Sequence, residues 1–406
     1  MKIVCVGGGP ASLYFSILMK RVDPSHDITV YERNPAGSTY GWGVTYWDEL
    51  LNGMYRADAE SARVISESSV SWDSWVVHVG DHTTMTVHDG EGGFGIGRRR
   101  LLGILAEQAC SLGVNIEFER EITAEEEVAG ADLVVAGDGV NSVLRERHAD
   151  HFGTKVEVGR NIYIWLGTTK VFDGFTFAFV ETEHGWIWCY GYGFSEDHST
   201  CVIECSPDTW RGLGFDQANE ADSLALLEKL FVRMLDGHPL IGRAHPDGSA
   251  HWLNFHTLTN RTWYRDNLVL LGDAAHTTHY SIGAGTALAL GDAAFLVDAL
   301  HGDARLQPAL ACYERKRRPA IRRTQRAARY SARWYEDLTR YISLPPPQMF
   351  ALLGDRHSRL LPHVPPRVYY RIAQAAEWLD SLRGSKGGQG SHESSTPEHP
   401  DEMTAR

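Results

Sequence analysis

The chain begins with a predicted strand, a glycine-rich turn, a helix and a second strand. Residues 2–6 read KIVCV, and residues 7–12 read GGGPAS, a GxGxxG pattern with Ser12 in the third glycine position. The second strand ends at Glu32, twenty residues beyond Ser12. This order is typical of a dinucleotide-binding unit, in which glycines admit the pyrophosphate and the acid binds ribose hydroxyls. We therefore expect an α/β fold with a nucleotide site formed by Gly7, Gly9, Pro10, Ala11, Glu32 and Arg33.

Two further predicted strands end in an aspartate beside glycines. Residues 133–136 lead into Gly137-Asp138-Gly139, and residues 268–271 lead into Gly272-Asp273. A loop follows the second aspartate, and a two-glycine turn then begins an Ala/Leu-rich helix, whose N-terminus stabilises negative charge. Three such strand ends suggest one extended ligand held at several points. The residues expected to contact it are Asp138, Asp273, His279, Tyr280, Gly283, Ala284, Gly285 and Thr286.

Two other features have more than one interpretation. The segment GWGV ends in Gly43 and Val44. Either its backbone lies close to a flat ligand, or it is a plain loop turn. Arg98 stands just before a helix predicted over 101–112, where a positive charge is unfavourable. Either an anion such as a pyrophosphate lies near Arg98, or the arginine is solvated.

Residues 160–206 alternate with a period of two and predict an antiparallel sheet. One predicted strand places Trp186, Trp188, Tyr190, Tyr192 and Phe194 on a single face. This aromatic face either forms a wall over a ligand or packs against neighbouring strands in a core. Core packing is expected for at least half of these aromatic residues. The residues expected to contact a substrate are Trp165, Trp188, Tyr190 and Tyr192.

Composition excludes several classes of protein. A net charge of -13 argues against a nucleic-acid partner. No apolar run approaches the ~18 residues of a membrane span, and the chain starts with a strand rather than a signal peptide. The six cysteines include no CxxC pair and no Cys/His metal spacing. We therefore expect a reduced, cytoplasmic enzyme without a metal site, a membrane span or disulfides.

A helix is predicted over 313–342, with a break at Pro319. On this helix Arg322, Arg326, Arg329 and Arg333 share one face, which is either a solvated surface or an anion-binding one. A last helix is predicted over 366–382, and the Gly/Ser/Pro-rich residues from 384 onward are expected to be disordered.

The three fingerprints together resemble the single-component flavin-dependent aromatic hydroxylases, the class of p-hydroxybenzoate hydroxylase. They are GGGPAS with Glu32, AGDGVNSVLR at 136–145 and GDAAH at 272–276. The resemblance implies bound FAD, NAD(P)H as co-substrate, O2, and hydroxylation of an electron-rich ring by a flavin C4a-hydroperoxide. It also implies that Arg98 reaches the FAD, that Asp138 belongs to a motif for FAD and NAD(P)H, and that Asp273 binds the ribityl chain.

The residues after GDAAH resemble one subgroup of these hydroxylases. The run from Thr277 to Thr286 and the segments 41–44, 161–168 and 199–205 are similar to salicylyl-CoA 5-hydroxylase, 2-aminobenzoyl-CoA monooxygenase and the violacein-pathway tryptophan-derivative hydroxylase. This similarity implies that His279 and Tyr280 lie beside the isoalloxazine, where they contact the substrate, handle protons or shape the pocket. It implies an aryl thioester substrate on CoA or a carrier protein.

The subgroup pattern is not complete. Residues 287–289 read Ala-Leu-Ala where Lys-Leu-Ala is usual, and Gly291-Asp292 replaces Glu-Asp. The alternatives are therefore a free indole or other aromatic natural-product intermediate as substrate, and a non-enzymatic FAD-binding redox sensor. A halogenase is disfavoured because Trp186-Ile187-Trp188 lacks the Ile-Pro that follows in that family's motif.

The expected architecture is a Rossmann-like FAD-binding domain with an inserted antiparallel-sheet substrate domain and C-terminal helices. The expected boundaries are 1–150 for the first part of the FAD-binding domain, with a hairpin near 71–88, 151–257 for the substrate domain, 258–343 for the second part of the FAD-binding domain and the long helix, 344–383 for a C-terminal helical segment and 384–406 for the tail.

Overall fold

The computed structural model describes residues 1–386 apart from 40, 81–82, 89–91, 244 and 246. Most of the tail expected to be disordered therefore lies outside the described residues. The strands are β1 (Lys2–Val6), β2 (Asp27–Glu32), β3 (Gly43–Tyr46), β4 (Val70–Trp72), β5 (Trp75–Val79), β6 (Thr83–Val87), β7 (Gly93–Gly97), β8 (Asn115–Phe118), β9 (Leu133–Ala136), β10 (Lys155–Thr168), β11 (Phe175–Thr182), β12 (Gly185–Gly193), β13 (Ser199–Cys205), β14 (Leu240–Ile241), β15 (Leu253–Thr259), β16 (Tyr264–Arg265) and β17 (Leu268–Leu270).

The helices connect these strands and close the C-terminal end of the described chain. They are α1 (Pro10–Val22), α2 (Asp48–Ala57), α3 (Ala59–Glu67), α4 (Arg98–Ser111), α5 (Val143–Arg147), α6 (Ala149–Phe152), α7 (Pro207–Gly212), α8 (Glu220–Leu230), α9 (Val232–Leu235), α10 (Gly285–Gly302), α11 (Leu306–Glu336), α12 (Pro346–Gly354) and α13 (Pro366–Lys386). No helix among the described residues combines the length and the apolar character that crossing a membrane requires.

The first sheet contains the strands of the predicted nucleotide fold. Its order is β16-β17-β9-β1-β2-β8, and every pair is parallel except β16 with β17. The central strands are buried because helices cover the sheet, and this explains why they read as continuous apolar runs rather than alternating ones. Carboxyl ends of parallel strands share one edge, so β1, β9 and β17 deliver their glycine turns to the same place.

The second sheet is the predicted antiparallel one. Its order is β14-β10-β13-β12-β11-β5-β6, with β15 also paired to β10. The predicted hairpin near 71–88 is β5 and β6, and it joins this sheet through a parallel pairing of β5 with β11. The α/β fold class is confirmed, and the domain boundaries stay a prediction. A small third sheet contains β3, β7 and β4.

The aromatic face of the second sheet is covered by the C-terminal helices. Residues of β11 and β12 form a buried cluster with the end of α11, with α12 and with the start of α13. The predicted break at Pro319 is wrong, because α11 continues through this proline. Flanking residues Arg317 and Ile321 are both buried against the body of the protein, and such packing offsets the backbone hydrogen bond that the proline removes.

Candidate active site

The glycines of the three fingerprints lie against one another at the shared strand edge. Val6 of β1 and Leu270 of β17 both pair in register with Ala136 of β9. Gly7 has a φ of 96°, and a Cβ there would lie 2.6 Å from the carbonyl oxygen of Gly137. Any larger residue at position 7 would push the ends of β1 and β9 apart. The glycine is therefore required by the close approach of these two strand ends as well as by its positive φ.

The nucleotide end of the edge is formed by β1, α1 and β2. Glu32 accepts a hydrogen bond from the Gly8 amide at 2.7 Å and, through its other oxygen, one from the Asn34 amide at 2.9 Å. Helix α1 begins at Pro10, and no side chain caps it at Gly9. The first N–H groups of α1 therefore face the turn without a side-chain acceptor, as an anion-binding helix N-terminus requires.

Asp138 lies at the end of β9 with one carboxylate oxygen unpaired. Its Oδ2 accepts a hydrogen bond from the Val143 amide at 2.9 Å, whereas the buried Oδ1 has no hydrogen-bond partner among the described residues. Burial raises the pKa of Asp138 above its usual range. An unsatisfied buried oxygen is costly, so this carboxylate fits a ligand that donates a hydrogen bond here.

Asp273 and Arg98 come from opposite parts of the chain to the same cleft. The Asp273 side chain is open to the cleft, and partial desolvation by the surrounding protein raises its pKa, which the positive charge of Arg98 opposes. Arg98 also donates a hydrogen bond to the Thr39 hydroxyl at 3.1 Å. A carboxylate and a guanidinium so placed suit the hydroxyls and phosphates of a dinucleotide.

The N-terminus of α10 is the second uncapped helix end in the cleft. Gly283 has a φ of 60°, Ala284 occupies the cap position, and no side chain caps the helix that starts at Gly285. A Cβ on Gly285 would meet no atom within 4 Å, so space for a ligand exists beside this turn and Thr286. The two uncapped helix ends, the unpaired Asp138 oxygen and the glycine turns together fit FAD.

Gly43 connects the cleft to the second sheet. Its N–H donates to the Thr200 hydroxyl at 2.8 Å, and its carbonyl accepts from the Tyr192 hydroxyl at 2.8 Å. Both backbone groups are thus occupied, which favours a structural turn over a backbone approach to the ligand. The roles of Gly43 and the neighbouring Val44 in cofactor binding stay predictions, as does that of Arg33, whose exposed side chain lies 3.8 Å from Glu121.

His279 is buried in the loop that follows Asp273. Its Nδ1 accepts a hydrogen bond from the Ser281 amide at 3.3 Å and lies 2.9 Å from the Ser281 hydroxyl, so the ring hydrogen resides on Nε2. Burial lowers the pKa of His279 to about 3. The imidazole is therefore neutral at ordinary pH, and this favours hydrogen-bond donation or pocket shaping over proton transfer for His279.

Tyr280 extends from the same loop onto the face of the second sheet. Its hydroxyl donates to Glu204 of β13 at 2.5 Å, and its ring lies 4.5 Å from that of Tyr163. The other oxygen of Glu204 accepts from the Asn161 side chain at 2.7 Å. Glu204 was not among the predicted site residues. The available signal was a single acid in the otherwise apolar and hydroxyl-bearing strand STCVIEC.

The four aromatic residues predicted to contact a substrate have different environments. Trp188 is 2% exposed and stacks on Tyr335 at 5.8 Å, as a core residue does. Tyr190 lies 6.1 Å from the Tyr280 ring, beside the cleft. The Tyr192 hydroxyl is bound to the Gly43 carbonyl, and Trp165 packs against Gly41. Their substrate contacts stay predictions, and the packing favours Tyr190 among them.

A buried ionic network explains the departure at Gly291-Asp292. Asp292 accepts hydrogen bonds from His276 at 2.8 Å and from Arg317 of α11 at 2.6 Å. A Cβ on Gly291 would lie 2.8 Å from the Arg317 guanidinium, so the missing side chain makes room for this arginine. This network joins α10 to α11, and sequence reasoning did not predict it because Arg317 lies 25 residues from Asp292. Among the described residues no group of three His, Cys, Asp or Glu side chains has metal-binding geometry.

Comparisons with known proteins agree with this geometry. A family model described as an FAD binding domain matches residues 112–328. The chain is 38% identical to a salicyloyl-CoA 5-hydroxylase from Streptomyces over 86% of its length and 68% of the relative. It is 35% identical to a 3-hydroxy-4-methyl-anthranilyl-[aryl-carrier protein] 5-monooxygenase from Streptosporangium sibiricum, over 88% of this chain and 94% of the relative.

A third relative and a solved structure extend the comparison. A protodeoxyviolaceinate monooxygenase from Chromobacterium violaceum is 30% identical over 93% of this chain and 100% of its own. A crystal structure of 2-methyl-3-hydroxypyridine-5-carboxylic acid oxygenase superposes with a TM-score of 0.68 at 20% identity, covering 83% of this chain and 92% of that one. At that identity the superposition supports the fold alone.

Proposed function

The chain belongs to the family of FAD-dependent aromatic monooxygenases that includes salicyloyl-CoA 5-hydroxylase, and from this membership we propose that its substrate is an aryl thioester. The enzyme binds FAD and hydroxylates an aromatic ring with O2, and NAD(P)H is the reductant typical of its class. The proposed ring has a hydroxyl or amino group, and its carboxyl group is joined to CoA or to a carrier protein.

The observation that supports the thioester most strongly is the pair of relatives at 38% and 35% identity. Both are named for substrates in which a substituted benzoyl group is attached to a carrier: salicyloyl-CoA in one and an anthranilyl aryl-carrier protein in the other. The violaceinate relative, at 30% identity, supports the second candidate, a free indole-derived substrate. All three are monooxygenases, so the non-enzymatic sensor interpretation is no longer required.

A basic groove on α11 gives independent support for a phosphate-bearing carrier. The groove has a volume of about 640 Å³, and its basic lining residues are Arg315, Arg318, Arg322, Arg323 and Arg326. Arg318 pairs with Glu314 at 2.7 Å, and outside the groove Arg329 pairs with Glu157 at 3.2 Å. Within the described part of the chain, Arg322, Arg323 and Arg326 have no carboxylate within ion-pair distance. Free positive charge in a chain of net charge -13 attracts phosphates.

The residues of the cleft have defined tasks in this proposal. When bound, FAD supplies the reduction and oxygen-transfer chemistry. Asp273 would hold the polyol chain of the cofactor, and the N-terminus of α10 would stabilise negative charge beside it. His279 offers a neutral Nε2–H as a hydrogen-bond donor, and the buried walls around Tyr280 exclude water from the ring that is oxidised.

The test compares three forms of one aromatic acid, namely the CoA thioester, the pantetheine thioester and the free acid. We expect both thioesters to accelerate NAD(P)H oxidation and to be hydroxylated, and the free acid to do neither. The CoA form should have the lower KM at low salt, and Arg322→Ala with Arg326→Ala should remove that advantage without changing kcat. Exposed Arg367→Ala on α13 is the matched control. Efficient hydroxylation of a free acid or indole, with no reaction of any thioester, would contradict the proposal.

A further inference from the structure

Glu204 is a buried carboxylate, and none of the described residues places a cation within hydrogen-bonding distance of it. Its side chain is 1% exposed, and its two oxygens accept hydrogen bonds from the Asn161 amide and the Tyr280 hydroxyl. Burying an ionisable acid with only neutral donors is expensive, and a glutamine would make similar contacts at lower cost. The position therefore suggests a use for an ionisable group here.

The groups that face Glu204 favour its protonated form. They come from three elements: Tyr163 on β10, Tyr190 on β12, and Tyr335 and Glu336 on α11. The tyrosines are neutral at ordinary pH, and Glu336 has the same charge as Glu204. Burial, with a smaller contribution from Glu336, raises the pKa of Glu204 to about 7, and the Tyr280 and Asn161 hydrogen bonds oppose this rise. The carboxyl group thus changes protonation near neutral pH.

We propose that Glu204 takes up, through Tyr280, the proton that the ring hydroxyl group of the substrate releases during hydroxylation. Tyr280 belongs to the loop between Asp273 and Gly283, both in the cofactor cleft, and its hydroxyl reaches across to the second sheet. It is thus the side chain that connects the cleft to Glu204. The inference rests on the proposed function only in requiring an aromatic substrate with an ionisable substituent.

The proposed transfer moves one proton from the substrate to Glu204 in two reversible steps. The O–H bond of the ring hydroxyl breaks as its proton passes to the Tyr280 oxygen, and the proton of Tyr280 passes to Oε2 of Glu204. Negative charge moves from the carboxylate to the ring substituent, which makes the ring a better nucleophile toward oxygen. The same path returns the proton once the product has formed, so no proton is gained or lost overall. Tyr280 touches the substrate, and Glu204 is a positioning residue that also stores the proton.

The experiment measures the rate of the hydroxylation step against pH in wild type, Glu204→Gln and Tyr280→Phe. It uses any aromatic compound that the wild-type holoenzyme hydroxylates, salicyloyl-CoA first. In wild type the rate should rise through an apparent pKa near 7. Both variants should lose this dependence and react about 100-fold more slowly above it, as loss of acid–base assistance predicts.

Two further measurements separate proton storage from a structural role. Glu336→Gln removes a neighbouring negative charge, so the pH dependence should persist with its midpoint at lower pH. Absorbance titration of the ring hydroxyl bound to oxidised enzyme should give a lower pKa in Glu204→Gln than in wild type, because the variant lacks the negative charge that disfavours the ring phenolate. A normal pH profile in Glu204→Gln, or an unchanged pKa of the bound hydroxyl, would overturn the proposal. Turnover of a free acid in place of a thioester would refute the proposed substrate and leave this test intact.

Discussion

At the scale of single residues, the strand-end aspartates were predictable and the acid on the sheet was not. Asp138 and Asp273 follow short apolar strands and precede helices, and this local pattern places them at a strand edge whatever the rest of the chain does. Glu204 is distant in sequence from Tyr280, and the two meet because the loop that contains Tyr280 packs on the face of the second sheet where β13 places Glu204. Its environment depends on tertiary packing, which periodicity does not reveal.

The raised pKa of Glu204 predicts a stability cost for the wild-type protein. Its pKa rises from 4.5 to about 7 on folding, so protonation stabilises the folded chain. That stabilisation is complete below the unfolded pKa and is lost as pH rises through about 7. Glu204→Gln is always neutral and should unfold with a free energy up to about 3 kcal/mol higher than wild type at pH 8.

The measurement is urea unfolding of both proteins at pH 5 and pH 8 with the same excess of FAD. The difference between them should shrink toward pH 5. Equal free energies of unfolding at pH 8 would mean that Glu204 is not a destabilising buried charge. A variant that is more stable and less active would agree with retention of the acid for catalysis.

Asp273 gives a residue-scale prediction for the cofactor. Asp273→Ala removes a carboxylate that is open to the cleft, and the loss of a charge-assisted hydrogen bond should weaken FAD binding by ~1.5–3 kcal/mol. Fluorescence titration of the apoprotein with FAD measures the Kd. Exposed Asp266→Ala is the control, and an unchanged Kd in Asp273→Ala would remove this residue from the FAD site.

At the scale of elements, the helix pair α10 and α11 shows where sequence reasoning fails. The face of α11 opposite the arginines contains Ile321, Gln325 and Ala328, and all three are buried, as the helical period indicates. The break predicted at Pro319 was wrong, because the buried packing of α11 on both sides of this residue outweighs the helix-breaking tendency of proline. Gly291 is required because the Arg317 side chain of α11 packs against it, a contact between two helices that the local sequence does not indicate.

The ionic network between these helices gives the third prediction. Burial opposes ionisation of Asp292, but the charges and hydrogen bonds of His276 and Arg317 outweigh it and hold the pKa of Asp292 below its usual value. Asp292→Asn leaves Arg317 buried without its counter-charge and should cost at least about 3 kcal/mol of unfolding free energy. Urea unfolding measures it, and Arg317→Met in the same chain should restore part of the loss. A loss of unfolding free energy below about 1 kcal/mol would show that water already solvates the Arg317 guanidinium.

At the scale of the whole molecule, the nucleotide fold was predictable from its apolar strands and glycine fingerprints, and the antiparallel sheet from its period of two. The sequence did not indicate that β5 pairs with β11, or that the Tyr192 and Thr200 side chains both bind Gly43. The Tyr192 and Thr200 contacts set the turn at Gly43 against the aromatic face of the second sheet. They are pairings between distant segments, so no local pattern encodes them.

The central claim is that this chain inserts one atom of O2 into the ring of an aryl thioester. Turnover of salicyloyl-CoA under ¹⁸O2 with NAD(P)H and FAD, followed by mass spectrometry of the thioester, tests it most directly. The account predicts a product heavier by one ¹⁸O, on the aromatic ring, formed in step with NAD(P)H consumption. A thioester of unchanged mass while a free aromatic acid or indole gains the label would contradict the account.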